Sequence, residues 1–142
     1  MQVSQIYTQD THFSLELPYF STSVQAGFPS PADDFVDTKL DLNEYLVKHP
    51  SATFFVRVTG DSMTGVGIYD DDILIVDRSL EAHEGMIIIA ALDGELTVKR
   101  LKKQNNAVIL SPENEQYDPI VVSEESDFSV WGVVTAVIHK PC

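Results

Sequence analysis

The chain has 142 residues, of which 44% are hydrophobic and 22% are charged, and this is the composition of one globular domain. Nine Lys and Arg residues against 22 Asp and Glu residues give a net charge of −13, which argues against direct binding of nucleic acid or of an anionic membrane. The longest apolar run, residues 86–92, is far shorter than the roughly 20 residues that cross a bilayer. Because the first basic residue is Lys39 and the single cysteine is Cys142, we expect no signal peptide, no internal disulfide and a cytoplasmic location.

Residues 1–38 differ from the rest of the chain because they carry no basic residue and are rich in Ser, Thr and Gln. Between Phe13 and Tyr19, apolar and polar residues alternate with a period of two, which is typical of an extended segment with one apolar face. Three prolines interrupt any longer element. We therefore predict an extended arm over residues 1–38, lying on a surface outside the core, and a β-rich domain over residues 39–142.

The remainder predicts one short helix followed by many strands. Residues 40–48 have helical spacing of Leu and Tyr, Asp41 or Thr38 could cap the start, and Pro50 ends the helix. Asp93-Gly94 between two apolar runs predicts a two-residue hairpin turn. The predicted strands are residues 53–58, 73–76, 86–91, 95–101, 107–110, 120–122 and 128–138. Together they indicate a mostly β fold of curved, strongly twisted antiparallel sheets.

The first candidate for chemistry is Ser62, in the sequence Gly60-Asp61-Ser62-Met63 directly after a predicted strand. A serine at a sharp turn is presented outward, and backbone N–H groups there could stabilise an oxyanion. A turn serine or a helix cap has the same local pattern, and a serine needs a base before it becomes nucleophilic. The histidines do not supply an obvious base or a metal site, because they are scattered without ligand spacing at His12, His49, His83 and His139.

Lys99 is a candidate base in the predicted strand over residues 95–101. Alternation places Thr97, Lys99 and Leu101 on one face, and Lys99 would be desolvated if that face is buried. Desolvation lowers the pKa of a lysine, and a neutral lysine can accept a proton from a serine. The alternative is a lysine on an edge strand that prevents aggregation.

Two charged segments have other interpretations. Four of the nine basic residues lie within residues 99–103, where they could contact an acidic partner or form a solvated strand end. The three consecutive aspartates at 70–72 suggest calcium, but they lack the alternating ligand pattern of an EF-hand loop and are typical of a solvated turn. The sequence thus predicts no metal and no cofactor.

Five segments, in their order and mutual spacing, resemble the LexA/UmuD family of self-cleaving serine peptidases. The resemblance extends from about residue 25 to residue 138. The segments are residues 26–32 (Ala-Gly-Phe-Pro-Ser-Pro-Ala), 60–63 (Gly-Asp-Ser-Met), 72–77 (Asp-Ile-Leu-Ile-Val-Asp), 97–101 (Thr-Val-Lys-Arg-Leu) and 131–134 (Trp-Gly-Val-Val).

The resemblance implies a role for each matching residue. Ser62 would be the nucleophile and Lys99 the general base, and the backbone N–H groups of Asp61 and Ser62 would hold the oxyanion. The scissile bond would join Ala26 to Gly27 in the chain's own arm. The best-known UmuD pattern has Cys-Gly at this bond, whereas Ala-Gly is the usual pair in LexA-type members.

The short arm is similar to the UmuD type and implies a function in the SOS response to DNA damage. A RecA–single-stranded-DNA filament would stimulate self-cleavage, and the shortened homodimer would join a UmuC-type Y-family polymerase in error-prone translesion synthesis. The replicative polymerase and the sliding clamp are further implied partners. The alternatives are a catalytically silent binding module, a signal-peptidase-like enzyme, which the lack of a membrane segment disfavours, and a LexA-like repressor fragment, which the missing helix-turn-helix disfavours.

Overall fold

A computed structural model describes the backbone of residues 1–8, 16–20 and 36–141. These residues form mostly β structure with one short α-helix, which confirms the predicted fold class. The strands are β1 (Gln2–Thr8), β2 (Glu16–Phe20), β3 (Val36–Asp41), β4 (Thr53–Thr59), β5 (Ile73–Asp77), β6 (Ile87–Leu92), β7 (Glu95–Gln104), β8 (Ala107–Ser111), β9 (Ile120–Val121) and β10 (Phe128–Ile138). The helix is α1 (Leu42–Leu46), and 3₁₀ turns cover Pro50–Ala52 and Thr64–Val66.

Eight of the strands form one antiparallel sheet in the order β1-β4-β5-β10-β6-β7-β8-β9. Strand β1 also meets β7, since Gln2 lies opposite Thr97. The sheet therefore curls back on itself between β4 and β7. This curvature brings the end of β4 near β7, although the two strands are far apart in sequence.

The connection between β6 and β7 is the predicted two-residue turn. Leu92 and Glu95 pair directly, and both Asp93 and Gly94 have positive φ, at 50° and 85°. This is the backbone that matches the right-handed twist of a hairpin. The turn fixes the register of β7, so it determines which β7 side chains reach each face of the sheet.

Alternate residues of the central strands pack into two apolar clusters. In β6, Ile89 belongs to one cluster, while Ile88 and Ala90 belong to the other. In β7, Val98 and Leu101 divide between the clusters in the same way. Both faces of β7 are therefore covered, which explains why a lysine in this strand can be buried.

Residues 10–48 form a separate compact unit. Its described part is the antiparallel pair of β2 and β3 followed by α1. The carboxylate of Asp41 accepts a hydrogen bond from the backbone N–H of Asn43 at 3.0 Å, so of the two predicted caps, Asp41 and Thr38, it is Asp41 that caps the helix. The helix is shorter than the predicted 40–48, and Pro50 begins the following 3₁₀ turn. The predicted scissile pair, Ala26 and Gly27, lies outside the described residues.

The start of the chain behaves differently from the surface arm that the sequence predicted. Met1 is 8% exposed and belongs to a core cluster, and Val3 packs against that cluster. The pairing of β1 with β4 explains this burial, because it continues the main sheet by one strand. The boundary between an arm over 1–38 and a domain over 39–142 stays a prediction. Among the described residues, no helix is long and apolar enough to cross a membrane.

Candidate active site

Ser62 lies in a tight turn where the chain leaves β4. Gly60 has a φ of 99°, which a side chain would make unfavourable, and its N–H donates to the Asp70 carboxylate at 2.8 Å. Ser62 is 1% exposed, and the adjacent Met63 is fully buried in the core. Packing of the Met63 side chain in the core fixes the turn, so the hydroxyl of Ser62 has a fixed position.

Lys99 of β7 points at this serine. Its Nζ lies 3.0 Å from Ser62 Oγ, 3.1 Å from the Val98 carbonyl oxygen and 3.4 Å from Thr97 Oγ1. Burial lowers the pKa of Lys99, and a hydrogen bond with the Met1 amine offsets part of this effect. No described carboxylate forms an ion pair with Lys99. These surroundings favour the neutral amine, which is the form that can accept a proton.

The interpretation of Lys99 as an edge-strand lysine is wrong. Strand β7 lies between β6 and β8, and Lys99 is 6% exposed. The four basic residues within 99–103 have different surroundings and do not form one basic surface. Arg100 binds the Glu113 carboxylate and the Gly85 carbonyl oxygen, whereas Lys102 and Lys103 are exposed.

The backbone of Met1 also enters the site. Its amine donates to Ser62 Oγ at 2.6 Å, and its carbonyl oxygen accepts from Val98 N–H at 3.0 Å and from Thr97 Oγ1 at 2.7 Å. Burial, followed by the hydrogen bond and charge of Lys99, lowers the pKa of this amine to about 5. The site therefore accepts an extended backbone directly beside the serine hydroxyl.

The loop after β8 supports the serine turn. Glu113 N–H donates to the Ser62 carbonyl oxygen at 2.8 Å, and Gly65 N–H donates to the Glu113 carbonyl oxygen at 2.7 Å. A Cβ on Gly65 would lie 2.5 Å from that oxygen, so the approach requires glycine. The sequence did not reveal this role of the loop, because the contact joins segments about fifty residues apart.

The described histidines do not contact Ser62. His49 Nδ1 lies 2.6 Å from Asp77, and His139 Nδ1 lies 2.6 Å from Asp72. The backbone N–H of His83 donates to a methionine sulfur, and His12 lies outside the described residues. Of the side chains that the sequence offered as bases, Lys99 is the one that the described structure brings to the serine, where the Met1 amine also lies.

The three consecutive aspartates are held by protein groups. Asp70 accepts from Gly60 N–H, Asp71 binds the Arg57 guanidinium at 3.0 Å, and Asp72 is buried against His139. Asp70 and Asp71 are exposed, as predicted for a solvated turn, whereas Asp72 is buried, so the prediction is wrong for that residue. The described residues contain no cluster of metal-ligating side chains.

Comparison with known proteins identifies the family of this chain. Residues 18–135 match the model of the Peptidase S24-like family. Protein SamA of Salmonella typhimurium is 46% identical over 123 residues, covering 87% of this chain and 85% of the relative. Protein MucA of Escherichia coli is 42% identical over 127 residues, covering 88% and 86%. The LexA repressor of Pectobacterium carotovorum is 42% identical over 118 residues, covering 82% of this chain and 58% of the repressor.

Proposed function

Since the chain belongs to the Peptidase S24-like family and is of the UmuD type, we propose that it cuts its own backbone between Ala26 and Gly27. Ser62 is the nucleophile and Lys99 is the general base. The observation that carries the proposal is the 3.0 Å contact between Lys99 Nζ and Ser62 Oγ, with both groups buried and no described carboxylate paired with the lysine.

The proposed reaction has two stages. Neutral Lys99 takes the hydroxyl proton while Ser62 Oγ attacks the carbonyl carbon of Ala26, and the resulting oxyanion accepts hydrogen bonds from the N–H groups of Asp61 and Ser62. The bond to the Gly27 nitrogen then breaks, and the Lys99 ammonium gives its proton to the leaving amine. Lys99 then takes a proton from a water molecule while the water oxygen attacks the ester carbon. The bond to Ser62 Oγ breaks, Lys99 returns the proton to that oxygen, and the acid formed at Ala26 ionises to a carboxylate in water.

The backbone pairing of Met1 supports the way in which we propose the scissile segment docks. Val98 N–H and Thr97 Oγ1 already bind one carbonyl oxygen beside Ser62, so the site has the donors that an added strand needs. We propose that the segment containing Ala26 and Gly27 takes the position that Met1 has beside the nucleophile. Cleavage is therefore expected to be slow until the docked arrangement is populated.

The partners belong to the same proposal. A RecA–single-stranded-DNA filament stimulates cleavage in the cytoplasm during the SOS response by stabilising the docked arm, and it contributes no catalytic group. The shortened homodimer then acts as an accessory subunit of a UmuC-type translesion polymerase, with the replicative polymerase and the sliding clamp as further contacts. The net charge of −13 supports a function through protein partners, since direct DNA binding needs a basic surface.

The test is intact-mass spectrometry of the purified chain at neutral and at alkaline pH, with Ser62→Ala as the control. Because burial lowers the pKa of Lys99, raising the pH should produce the neutral base and accelerate cleavage without a partner. We expect the mass of the first 26 residues to be lost, and the control to stay intact. Fragmentation of the control would refute the proposal. A chain that stays uncut even with RecA filaments would be a silent binding module.

A further inference from the structure

Asn114 is hydrogen-bonded to the backbone of the serine turn. Its Nδ2 donates to the carbonyl oxygen of Asp61 at 2.9 Å, across 53 positions of sequence. Its Oδ1 accepts from Gln116 N–H at 2.9 Å. The second bond fixes the orientation of the side-chain amide, because the atom that accepts from an N–H must be the oxygen. The donor end of Asn114 is therefore directed at Asp61.

The carbonyl of Asp61 belongs to the same peptide unit as the N–H of Ser62. A peptide unit is planar and trans, so its C=O and N–H point in opposite directions. A hydrogen bond that holds the carbonyl oxygen at one end therefore sets the direction of the N–H at the other end. No described acceptor receives the Ser62 N–H, which leaves it available to a reacting group.

We propose that Asn114 is a positioning residue that aims the Ser62 N–H at the oxyanion formed during self-cleavage. This inference rests on the proposed function. Donation by Asn114 also polarises the peptide unit, since hydrogen bonds in series strengthen one another, and this makes the Ser62 N–H a better donor. In this proposal Asn114 does not touch the substrate and acts by orienting the peptide unit that joins Asp61 to Ser62.

Two neighbouring contacts restrain the residues on either side of this peptide unit. The Tyr117 hydroxyl donates to the Asp61 carboxylate, which fixes the side chain of that residue. Glu113 N–H binds the Ser62 carbonyl oxygen at 2.8 Å, which fixes the following peptide. The Arg100 guanidinium binds the Glu113 carboxylate and so ties this loop to β7. The peptide between Asp61 and Ser62 is thus held before any substrate arrives, as electrostatic stabilisation of a transition state requires.

The test measures the rate of self-cleavage over a pH series for Asn114→Leu, by intact-mass spectrometry without filaments. The rate at the alkaline plateau should fall by about 10- to 100-fold, because the oxyanion loses an oriented donor. The midpoint of the pH profile should stay that of the unchanged chain, since Lys99 and Ser62 keep their contact. Gln116→Leu is the matched control, because its backbone bond to Asn114 does not need its side chain, and it should keep the full rate.

A cleavage rate at the alkaline plateau equal to that of the unchanged chain would overturn the inference. A lower rate accompanied by a shifted midpoint of the pH profile would overturn it as well. Asn114→Asp guards against a rearranged loop, since it keeps the acceptor for Gln116 N–H and removes the donor to Asp61. Its plateau should also fall, and a full plateau would overturn the inference. These outcomes differ from failure of the proposed function, which Ser62→Ala reports on separately.

Discussion

Asp77, at the end of β5, and Lys99, in β7, are both buried, yet their surroundings have opposite effects on charge. Burial alone raises the pKa of Asp77, but hydrogen bonds from Ser79 and from His49 outweigh it and lower the pKa. Ser79 gives two bonds to one carboxylate oxygen, at 2.8 and 2.6 Å, and His49 binds the other. For Lys99, burial dominates and lowers the pKa without any described carboxylate partner.

The pKa is lowered at both residues. For Asp77 this means that the charged form is favoured, and for Lys99 that the neutral form is favoured. A carboxylate with three hydrogen bonds is a structural group, because each bond stabilises the ion. A buried lysine beside a serine hydroxyl is costly for the fold as long as it is charged, but it is suited to proton transfer. Variants at the two positions should accordingly separate activity from stability.

The largest expected effect is the loss of self-cleavage in Lys99→Arg. Arginine keeps the positive charge but does not release its proton in a protein, so the base is lost. The rate of cleavage at alkaline pH should fall by about 10²- to 10⁴-fold, measured by intact-mass spectrometry. Lys102→Arg is the matched control, because Lys102 is exposed on the same strand and should tolerate the change. Full activity of Lys99→Arg would exclude lysine as the base.

A smaller effect, on stability rather than on activity, is expected for Asp77→Asn. Removing the negative charge weakens the bonds from Ser79 and His49, and we expect the free energy of unfolding to fall by about 1–3 kcal/mol at neutral pH. Because the folded pKa of Asp77 lies below its unfolded value, its contribution is present above the unfolded pKa and is lost as the pH falls through the folded value. The loss should therefore shrink in acid.

Urea unfolding in the Ser62→Ala background measures this effect without interference from cleavage. Asp71→Asn is the control, since the Asp71 side chain is 76% exposed in its pair with Arg57 and should contribute less than about 0.5 kcal/mol. A loss at Asp77 that persists unchanged at acidic pH would show that the ion itself is not what stabilises the end of β5.

Local pattern was sufficient to predict most of the main sheet. Strand β10 has the predicted bounds, because a long run of β-branched residues favours a strand wherever it pairs. The turn at Asp93-Gly94 was predictable because its backbone requirement is met by those two residues alone. The sequence also indicated Ser62 and Lys99 as candidates, but whether Lys99 is buried depends on both faces of β7 being covered.

Features that depend on distant partners were missed. Strand β1 has a mostly polar sequence, and it is a strand because β4, some fifty residues later, supplies the ladder. The burial of Met1 follows from that pairing. Asn114 resembles any turn residue until the fold brings it to the Asp61 carbonyl oxygen. No local pattern contains these contacts, since each depends on how the sheet curls.

The smallest expected effect is a gain in stability when the buried cation is removed. Lys99→Met in the Ser62→Ala background replaces an ammonium by an apolar chain of similar length, and we expect a gain of about 1 kcal/mol at neutral pH. The folded pKa of Lys99 lies below its ordinary value of 10.5, so the unfolded chain binds more protons between the two values. The lysine-containing chain should therefore gain stability as the pH rises through this interval.

The difference between the two chains should be largest below the folded pKa of Lys99 and should narrow towards pH 10.5. Urea unfolding at a series of pH values measures it, and groups distant from Lys99 cancel because they occur in both chains. The Met1 amine does not cancel, because Lys99 lowers its pKa, so the comparison is made above pH 8.0, the ordinary pKa of that amine. A difference that is independent of pH would mean that burial does not disfavour the ammonium. Lys99 would then resemble Asp77, since the fold would stabilise the charged form of both groups. The contrast between a carboxylate buried for stability and a lysine buried for proton transfer would not hold.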